Sequence, residues 1–182
     1  MKTSTEINSA ARIVGEEKAI ELIAKAGFDA WDFSMFAMVR YDWTNRCLLP
    51  NDHPLCRPDY LKFARGLRNI GLDNGIHCNQ SHAPFPSSQP DIPKNADYNA
   101  HIFDRIVRAM EGAALLGAKN IIVHPVQHLN YWENQQKLFD MNMDFYRSLA
   151  PYAKQFGVKM CLENMFGEDQ RRGCLVPDMF SD

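Results

Sequence analysis

Short apolar runs and longer amphipathic segments alternate along this chain in a regular order. In the longer segments apolar residues recur at helical spacing, and several of them end at a glycine, which adopts the left-handed conformation after a helix most readily. The later short runs are continuous and apolar, as is typical of strands that are covered on both faces of a parallel sheet. The pattern therefore predicts an α/β fold built from repeated βα units.

The predicted elements amount to four βα units followed by a fifth strand. Strands are predicted over residues 2–7, 28–33, 76–82, 119–124 and 158–163. Helices are predicted over residues 14–26, 59–70 and 132–156, and through an apolar stripe from Phe103 to Ala114 that closes at Gly117. Pro151 lies inside the last helix and is expected to kink or restart it, because proline lacks the amide hydrogen that a helix uses. The residues after Glu163 are predicted to be loop.

Two connections are longer than simple turns. Residues 34–58 are rich in aromatic and turn residues, and this length favours a lid over a binding site. Residues 83–95 contain four prolines, which forbid regular structure, and they follow the third strand directly. Both segments are therefore expected beside the carboxyl ends of the strands.

Three predicted strands end on residues that can hold a metal ion or move a proton, namely His82, His124 and Glu163. The carboxyl ends of the strands in a parallel α/β fold open onto one face, where ligands bind. We therefore expect these three side chains to converge although they are far apart in sequence. This convergence is the strongest indication of function in the sequence.

Composition restricts the number of domains, the partners and the cellular compartment that we expect. A chain of 182 residues, 46% of them hydrophobic, can bury a core and is expected to form one domain, residues 1–182. A net charge of -2 gives no electrostatic reason to expect a nucleic acid or an anionic membrane as partner. No apolar stretch approaches the ~20 residues that span a bilayer. Five cysteines without a CxxC pair are typical of a reduced, cytoplasmic protein.

Four motifs, in this order and spacing, resemble the xylose-isomerase-like TIM barrels. They are GFDAWDF from Gly27, SHAPF from Ser81, GAKNIIVHP from Gly117 and GVKMCLEN from Gly157. That superfamily contains sugar and sugar-phosphate isomerases and epimerases, and also the endonuclease IV group of DNA repair enzymes. The resemblance implies a partial (β/α) barrel of about five parallel strands with four helices.

The resemblance also implies roles for the strand-end residues. Glu163 matches the strand-five glutamate that binds a divalent ion, commonly Mn or Mg, and acts as one of two acid/base groups in the isomerases. His82 and His124 match histidines that are zinc ligands in the endonuclease branch and that more often contact substrate in the sugar enzymes. Asp32 stands where many members carry glutamate. The implied cofactor is thus a divalent metal, Mn, Mg or Zn, held by Glu163, His82 and His124.

Two further residues are candidates for substrate binding. Asn164 is adjacent to Glu163, so its amide is expected to hydrogen-bond a substrate hydroxyl. Trp43 lies in the long segment after the second strand, where its ring is a candidate for stacking on a sugar.

The family barrel needs about eight βα units, and this sequence carries only the first half of that pattern. The family's remaining metal ligands, an Asp, a His and a second Glu, have no positions here, so the ligand set is expected to be incomplete. An incomplete barrel leaves the fifth strand with an open edge, and we therefore expect a homo-oligomer.

The leading hypothesis is an isomerase or epimerase that acts on a small sugar or sugar phosphate by metal-assisted proton transfer next to a carbonyl. A second hypothesis is a DNA repair enzyme related to endonuclease IV, against which the acidic balance argues. A third is a non-catalytic truncated barrel that only binds or oligomerises.

Overall fold

A computed structural model describes residues 1–169 and 171–181, and its central feature is a five-stranded parallel sheet. The strands of this sheet, in the order in which they pair, are β1 (Ser4–Glu6), β2 (Ala30–Ser34), β5 (His77–His82), β6 (Asn120–Val123) and β7 (Lys159–Leu162). Two antiparallel hairpins lie outside it, β3 (Tyr41–Asp42) with β4 (Cys47–Leu48) and β8 (Phe166–Asp169) with β9 (Cys174–Pro177).

The helices connect the strands of the sheet in sequence. They are α1 (Asn8–Val14), α2 (Glu16–Lys25), α3 (Tyr60–Asp73), α4 (Ala96–Leu116) and α5 (Tyr131–Phe156). Helix α2 contacts α3, α3 contacts α4 and α4 contacts α5, and all four helices pack on the sheet. Within the described residues β1 and β7 remain edge strands, so the barrel is not closed. The predicted fold class, a partial barrel of parallel βα units, is confirmed.

The core lies between the sheet and this row of helices. On α4, Ile102, Ile106 and Met110 are fully buried at helical spacing, and burying each side chain stabilises the fold by about 1.5–3 kcal/mol. Trp31 on β2 is also fully buried. A Cβ atom at Gly71 of α3 would lie 3.0 Å from its indole nitrogen, so any larger residue at this position would crowd the ring. No helix in the described part of the chain is long and apolar enough to cross a membrane.

The pairing of β2 with β5 contains an irregularity that positions polar side chains. The register shifts between Trp31 and Asp32, which leaves Asn79 as an extra residue on β5. Beyond the shift Asp32 pairs with Gln80 and Ser34 pairs with His82. Such bulges re-aim side chains near functional sites, and here Asp32, Gln80 and His82 come to lie together.

The first two helical units differ from the prediction. Two helices, α1 and α2, follow β1, because Gly15 adopts φ 82° and ψ 160°, a conformation that only glycine tolerates well, and separates them. Helix α3 continues through Gly71 and ends at Asp73, and the backbone turns at Gly75 with a φ of 77°. Gly71 therefore serves packing rather than termination.

The expected interruption at Pro151 was wrong. Helix α5 runs through Pro151, and its non-helical backbone angles fall at Asn134, in its second turn. Pro151 and Arg147, whose carbonyl loses its partner, are both exposed. Water can bond the freed carbonyl there, so the helix tolerates the proline without a break.

The predicted loop after Glu163 was also wrong, since β8 and β9 form a hairpin there. Asp169 accepts hydrogen bonds from the amides of Arg171 and Arg172, and Gly173 takes a positive φ of 61°. The long segment 34–58 contains the β3–β4 hairpin and two short 3₁₀ turns, and it buries Met38 and Leu55. It is therefore packed against the rest of the fold rather than free of it.

Candidate active site

The carboxyl ends of β5, β6 and β7 bring His82, His124 and Glu163 together. One potential ligand atom from each of the three lies within 4.8 Å of the others. The register pairs Val123 with Leu162, so the next residue on each strand, His124 and Glu163, follows side by side. The convergence predicted from the strand ends is observed, although the role of each residue stays a prediction.

A hydrogen-bonded chain orients His82. Its Nδ1 atom lies 3.1 Å from Oδ1 of Asp32, whose other oxygen accepts a bond of 2.5 Å from the side-chain amide of Gln80. Burial disfavours the charged ring, but the hydrogen bond to Asp32 and the negative charges of Asp32 and Glu163 outweigh it and raise the pKa of His82. Nδ1 is thus occupied and Nε2 is left for a ligand, as in most histidines that bind a metal.

The pKa of His124 is shifted in the opposite direction to that of His82. Burial is the main reason that the pKa of His124 is lowered; nearby His82 lowers it further, and Glu163 acts against both. The neutral imidazole is the form that binds a metal or accepts a hydrogen bond. The two histidines therefore differ in charge preference although their ring centroids are 6.0 Å apart.

His124 and Glu163 leave buried polar atoms without hydrogen bonds. Nε2 of His124 lies 3.2 Å from Oε2 of Glu163, yet neither atom, nor Nδ1 of His124, has an aligned hydrogen-bond partner among the described residues. Leaving such atoms unsatisfied costs about 1–3 kcal/mol each. A cation bound between them would satisfy the nitrogen and the oxygen together, so these residues fit a metal site.

Two phenylalanines form an apolar wall beside the histidines. The Phe36 ring centroid lies 6.1 Å from those of both His82 and His124, and the Phe85 centroid lies 4.6 Å from that of His124. Neither residue was predicted from the sequence to lie at the site. Phe85 could have been found, because it follows His82 within the SHAPF motif and the proline-rich segment returns to the strand ends.

Asn164 and Trp43, the other predicted substrate contacts, occupy different places. Asn164 follows Glu163 directly and is exposed beside the site. Trp43 follows β3, where its ring packs on Tyr41 and Tyr98 with centroid distances of 4.7 Å to each. The structure brings Asn164 to the strand ends and places Trp43 in this separate aromatic cluster, so sugar stacking by Trp43 stays a prediction.

The fold and the strand-end site define a partial (β/α) barrel with a candidate metal site. Residues 20–179 match the family described as xylose isomerase-like TIM barrel. The chain therefore belongs to this family, which confirms the resemblance drawn from the four motifs.

Several proteins share this fold with the chain. A D-tagatose 3-epimerase-like protein is 24% identical with a TM-score of 0.62, and the match covers 93% of this chain and 55% of that one. The 3-keto-D-glucoside 4-epimerase of E. coli is 16% identical with a TM-score of 0.64, covering 91% and 56%. The IolI protein, solved with a bound zinc atom, is 18% identical with a TM-score of 0.59, covering 89% and 51%.

An uncharacterised protein of Methanocaldococcus jannaschii is 26% identical over 148 residues, which is 81% of this chain and 44% of the relative. The chain thus spans about half the length of the proteins it matches.

Proposed function

We propose that the protein is a sugar isomerase or epimerase, in which Glu163 transfers a proton at a carbon next to a carbonyl group. The observation that carries this proposal is the convergence of Glu163 with His82 and His124, with buried polar atoms left free of hydrogen bonds. The family, and the sugar epimerases among the structures with the same fold, support this class of reaction.

The proposed cofactor is a divalent cation, and His82, His124 and Glu163 would hold it. It would polarise the substrate carbonyl and lower the free energy of negative charge on its oxygen. Two imidazoles and a carboxylate suit zinc, and the carboxylate also suits manganese or magnesium.

Glu163 is the group that we assign to proton transfer. Its side chain is 42% exposed, so a substrate at the strand ends can reach the carboxylate. The carboxylate takes the proton from carbon, the electrons of the C–H bond move toward the carbonyl oxygen, and the carboxylic acid then returns a proton to the neighbouring or the same carbon. Return to the neighbouring carbon, together with transfer of the hydroxyl proton from one oxygen of the enediol to the other, gives isomerisation. Return to the opposite face of the same carbon requires a second acid and gives epimerisation.

The other residues bind the metal and orient the groups around it. His82 is fixed through Nδ1 by Asp32, which leaves Nε2 for the metal, and burial favours the neutral form of His124, in which an imidazole binds a cation. Phe36 and Phe85 exclude water from one side of the site. Electrostatic interactions are stronger in such a less polar environment.

Solvent deuterium exchange tests the proposal directly. The protein, loaded with Mn, Mg or Zn, is incubated with D-fructose or D-tagatose in heavy water, and NMR measures deuterium at the carbons beside the carbonyl. We expect exchange by the unaltered chain and at least about a hundredfold loss in Glu163→Gln, because removal of a general base typically has this effect.

Glu168→Gln serves as the matched control, since Glu168 is an exposed carboxylate on β8. This variant is expected to keep the exchange rate, and circular dichroism should show the same fold for both variants. Full exchange in Glu163→Gln would exclude the role given to Glu163. Absence of exchange with every metal and both ketoses would count against the isomerase itself.

A DNA repair enzyme remains the second candidate because of one observation, the pair of histidines that could ligate zinc. The net charge of -2 does not favour it, since DNA binding draws much of its affinity from Lys and Arg on phosphates. Zinc-dependent nicking of duplex DNA, lost in Glu163→Gln, would favour this function over the isomerase.

A further inference from the structure

A cavity between α1 and the segment that follows β2 borders the candidate active site. It has a volume of about 420 Å³, and ligand pockets in proteins typically measure about 300–1,000 Å³. Phe36 lines this cavity, and the ring centroid of Phe36 lies 6.1 Å from those of both His82 and His124. The same ring therefore borders both spaces, and a ligand bound at the strand ends reaches the cavity once it extends past Phe36.

Helix α1 presents one face to this cavity. Asn8, Ala11 and Arg12 line it, and a spacing of three and four residues places them on the same side of a helix. The small side chain of Ala11 leaves room between the two polar ones. Arg12 is exposed, and its guanidinium makes no hydrogen bond or ion pair within residues 1–169 and 171–181. The cavity thus contains an accessible cation whose N–H donors are free for a ligand.

The other charged group in the lining, Glu16, is bonded within the protein. Its Oε1 atom lies 2.8 Å from Nε2 of His53. Nδ1 of His53 accepts a bond of 3.2 Å from the amide of Leu55, so the hydrogen of the neutral ring lies on Nε2 and is donated to Glu16. This hydrogen bond is the main reason that the pKa of the Glu16 carboxyl is lowered. The group left for a ligand is therefore Arg12.

We propose that this cavity binds an anionic group of the ligand, a phosphate or a carboxylate, through the guanidinium of Arg12 and the side-chain amide of Asn8. The planar guanidinium offers two parallel N–H donors, which match the paired oxygens of such a group. That the rest of the ligand is a sugar rests on the proposed function, because the anion would lie at the end remote from the carbonyl group at Glu163. The substrate class is then a sugar phosphate or a sugar acid, which binds more tightly than a neutral sugar.

The affinity for charged and neutral ketoses tests this preference. Isothermal titration calorimetry compares D-fructose 6-phosphate with neutral D-fructose on the metal-loaded chain. We expect the phosphate to bind about ten- to a hundredfold more tightly, because a hydrogen bond to a charged group contributes on that order. D-Fructuronate, a ketose with a carboxylate at its far carbon, is the second probe. The anion that binds more tightly shows which of the two groups the cavity recognises.

A variant pair assigns the preference to Arg12. Arg12→Gln is expected to weaken the binding of D-fructose 6-phosphate by about ten- to a hundredfold, since glutamine is polar but uncharged. The affinity for D-fructose should change less than about threefold, because a neutral sugar has no charge for Arg12 to pair with. Arg65→Gln, at an exposed arginine of α3 that lines no part of this cavity, is the matched control and should keep the preference. Circular dichroism checks that both variants fold.

Nitrogen-15 NMR of the metal-free chain separates binding in the cavity from binding to the metal. A phosphate can also coordinate a bound cation, and this contribution is absent without one. We expect D-fructose 6-phosphate to cause a saturable change in the Nε signal of Arg12, which is assigned by its absence from Arg12→Gln. The Nε signal of Arg65 should stay unchanged.

The outcomes separate this proposal from the proposed function. If D-fructose exchanges deuterium but neither anion binds more tightly than D-fructose, the anion site is excluded and the isomerase stands. If the preference depends on Arg12 but no ligand exchanges deuterium, the anion site stands and the isomerase fails. A preference that persists in Arg12→Gln, or an equal loss of affinity for D-fructose and its phosphate in that variant, overturns the recognition of an anion by Arg12.

Discussion

Asp32 decides which nitrogen of His82 can reach a ligand. The carboxylate is 5% exposed and uses one oxygen for His82 and the other for Gln80. A buried carboxylate that is fully hydrogen-bonded holds a ring more rigidly than solvent can, and outer partners of this kind also raise the basicity of a ligand histidine. At the scale of single residues, the site therefore depends on a group that does not face the ligand itself.

This dependence predicts that Asp32→Asn lowers the affinity for a divalent metal by about ten- to a hundredfold. The amide is isosteric with the carboxylate but no longer attracts the His82 ring electrostatically. Isothermal titration with zinc or manganese chloride measures the effect. Asp144→Asn is the control, because its side chain is 84% exposed, and it should bind the metal normally. Equal affinities for the two variants would contradict the role of Asp32.

The sequence was sufficient to place His82, His124 and Glu163 together, but not the contacts around them. Strand ends in a parallel fold converge whatever the exact register is. The Asp32–Gln80–His82 chain depends on the register, which is set by the extra residue Asn79 in β5. Neither hydrophobic periodicity nor composition reveals a single inserted residue, so this part of the site could not be predicted.

At the scale of elements, glycine and proline residues predicted only some of the helix ends and breaks correctly. Gly117 and Gly157 end α4 and α5 in the left-handed conformation, with φ values of 89° and 69°, because that conformation is a local property of the chain. Gly71 and Pro151 were misjudged for a different reason. The role of Gly71 comes from the indole of Trp31 packed against it, and Pro151 is tolerated because it is exposed. Tertiary packing decided the role of Gly71, and solvent exposure decided that of Pro151.

A buried asparagine connects two elements at the site. Asn142 of α5 is fully buried, and its side chain exchanges two hydrogen bonds of 2.8 Å with the backbone of Val126. Val126 lies in the loop between His124 and His128. The amide thus fixes this loop on α5, and with it the position of the loop that follows His124.

Replacing this residue should destabilise the fold measurably. Asn142→Leu keeps the branching of the side chain but leaves the amide and the carbonyl of Val126 unsatisfied, and we expect a loss of about 2–4 kcal/mol in the free energy of unfolding. Urea denaturation followed by circular dichroism measures it. Gln135→Leu, exposed on the same helix, should change stability by less than about 0.5 kcal/mol. A similarly small change in Asn142→Leu would show that the loop is held by other contacts.

At the scale of the whole molecule, exposed apolar side chains accompany the outer edge of β7, with which no strand in residues 1–169 and 171–181 pairs. Leu162 is 47% exposed, and Phe166 and Leu175 of the neighbouring hairpin are 63% and 66% exposed. An open strand edge presents unpaired backbone groups to another chain. Apolar side chains beside such an edge favour association because burying them releases water.

We therefore expect the chain to associate with a second copy through this edge. Light scattering coupled to size exclusion should give a mass of at least twice 20.9 kDa. Serine at both Phe166 and Leu175 should raise the dissociation constant at least about tenfold, because burial of each apolar side chain contributes about 1.5–3 kcal/mol. Leu72→Ser, at a 55% exposed leucine of α3, is the control and should leave the mass unchanged. If the unaltered chain elutes as a monomer at every concentration, the apolar edge does not drive self-association. If Leu72→Ser raises the dissociation constant of the dimer as much as the serine pair does, the contact lies on the helices instead.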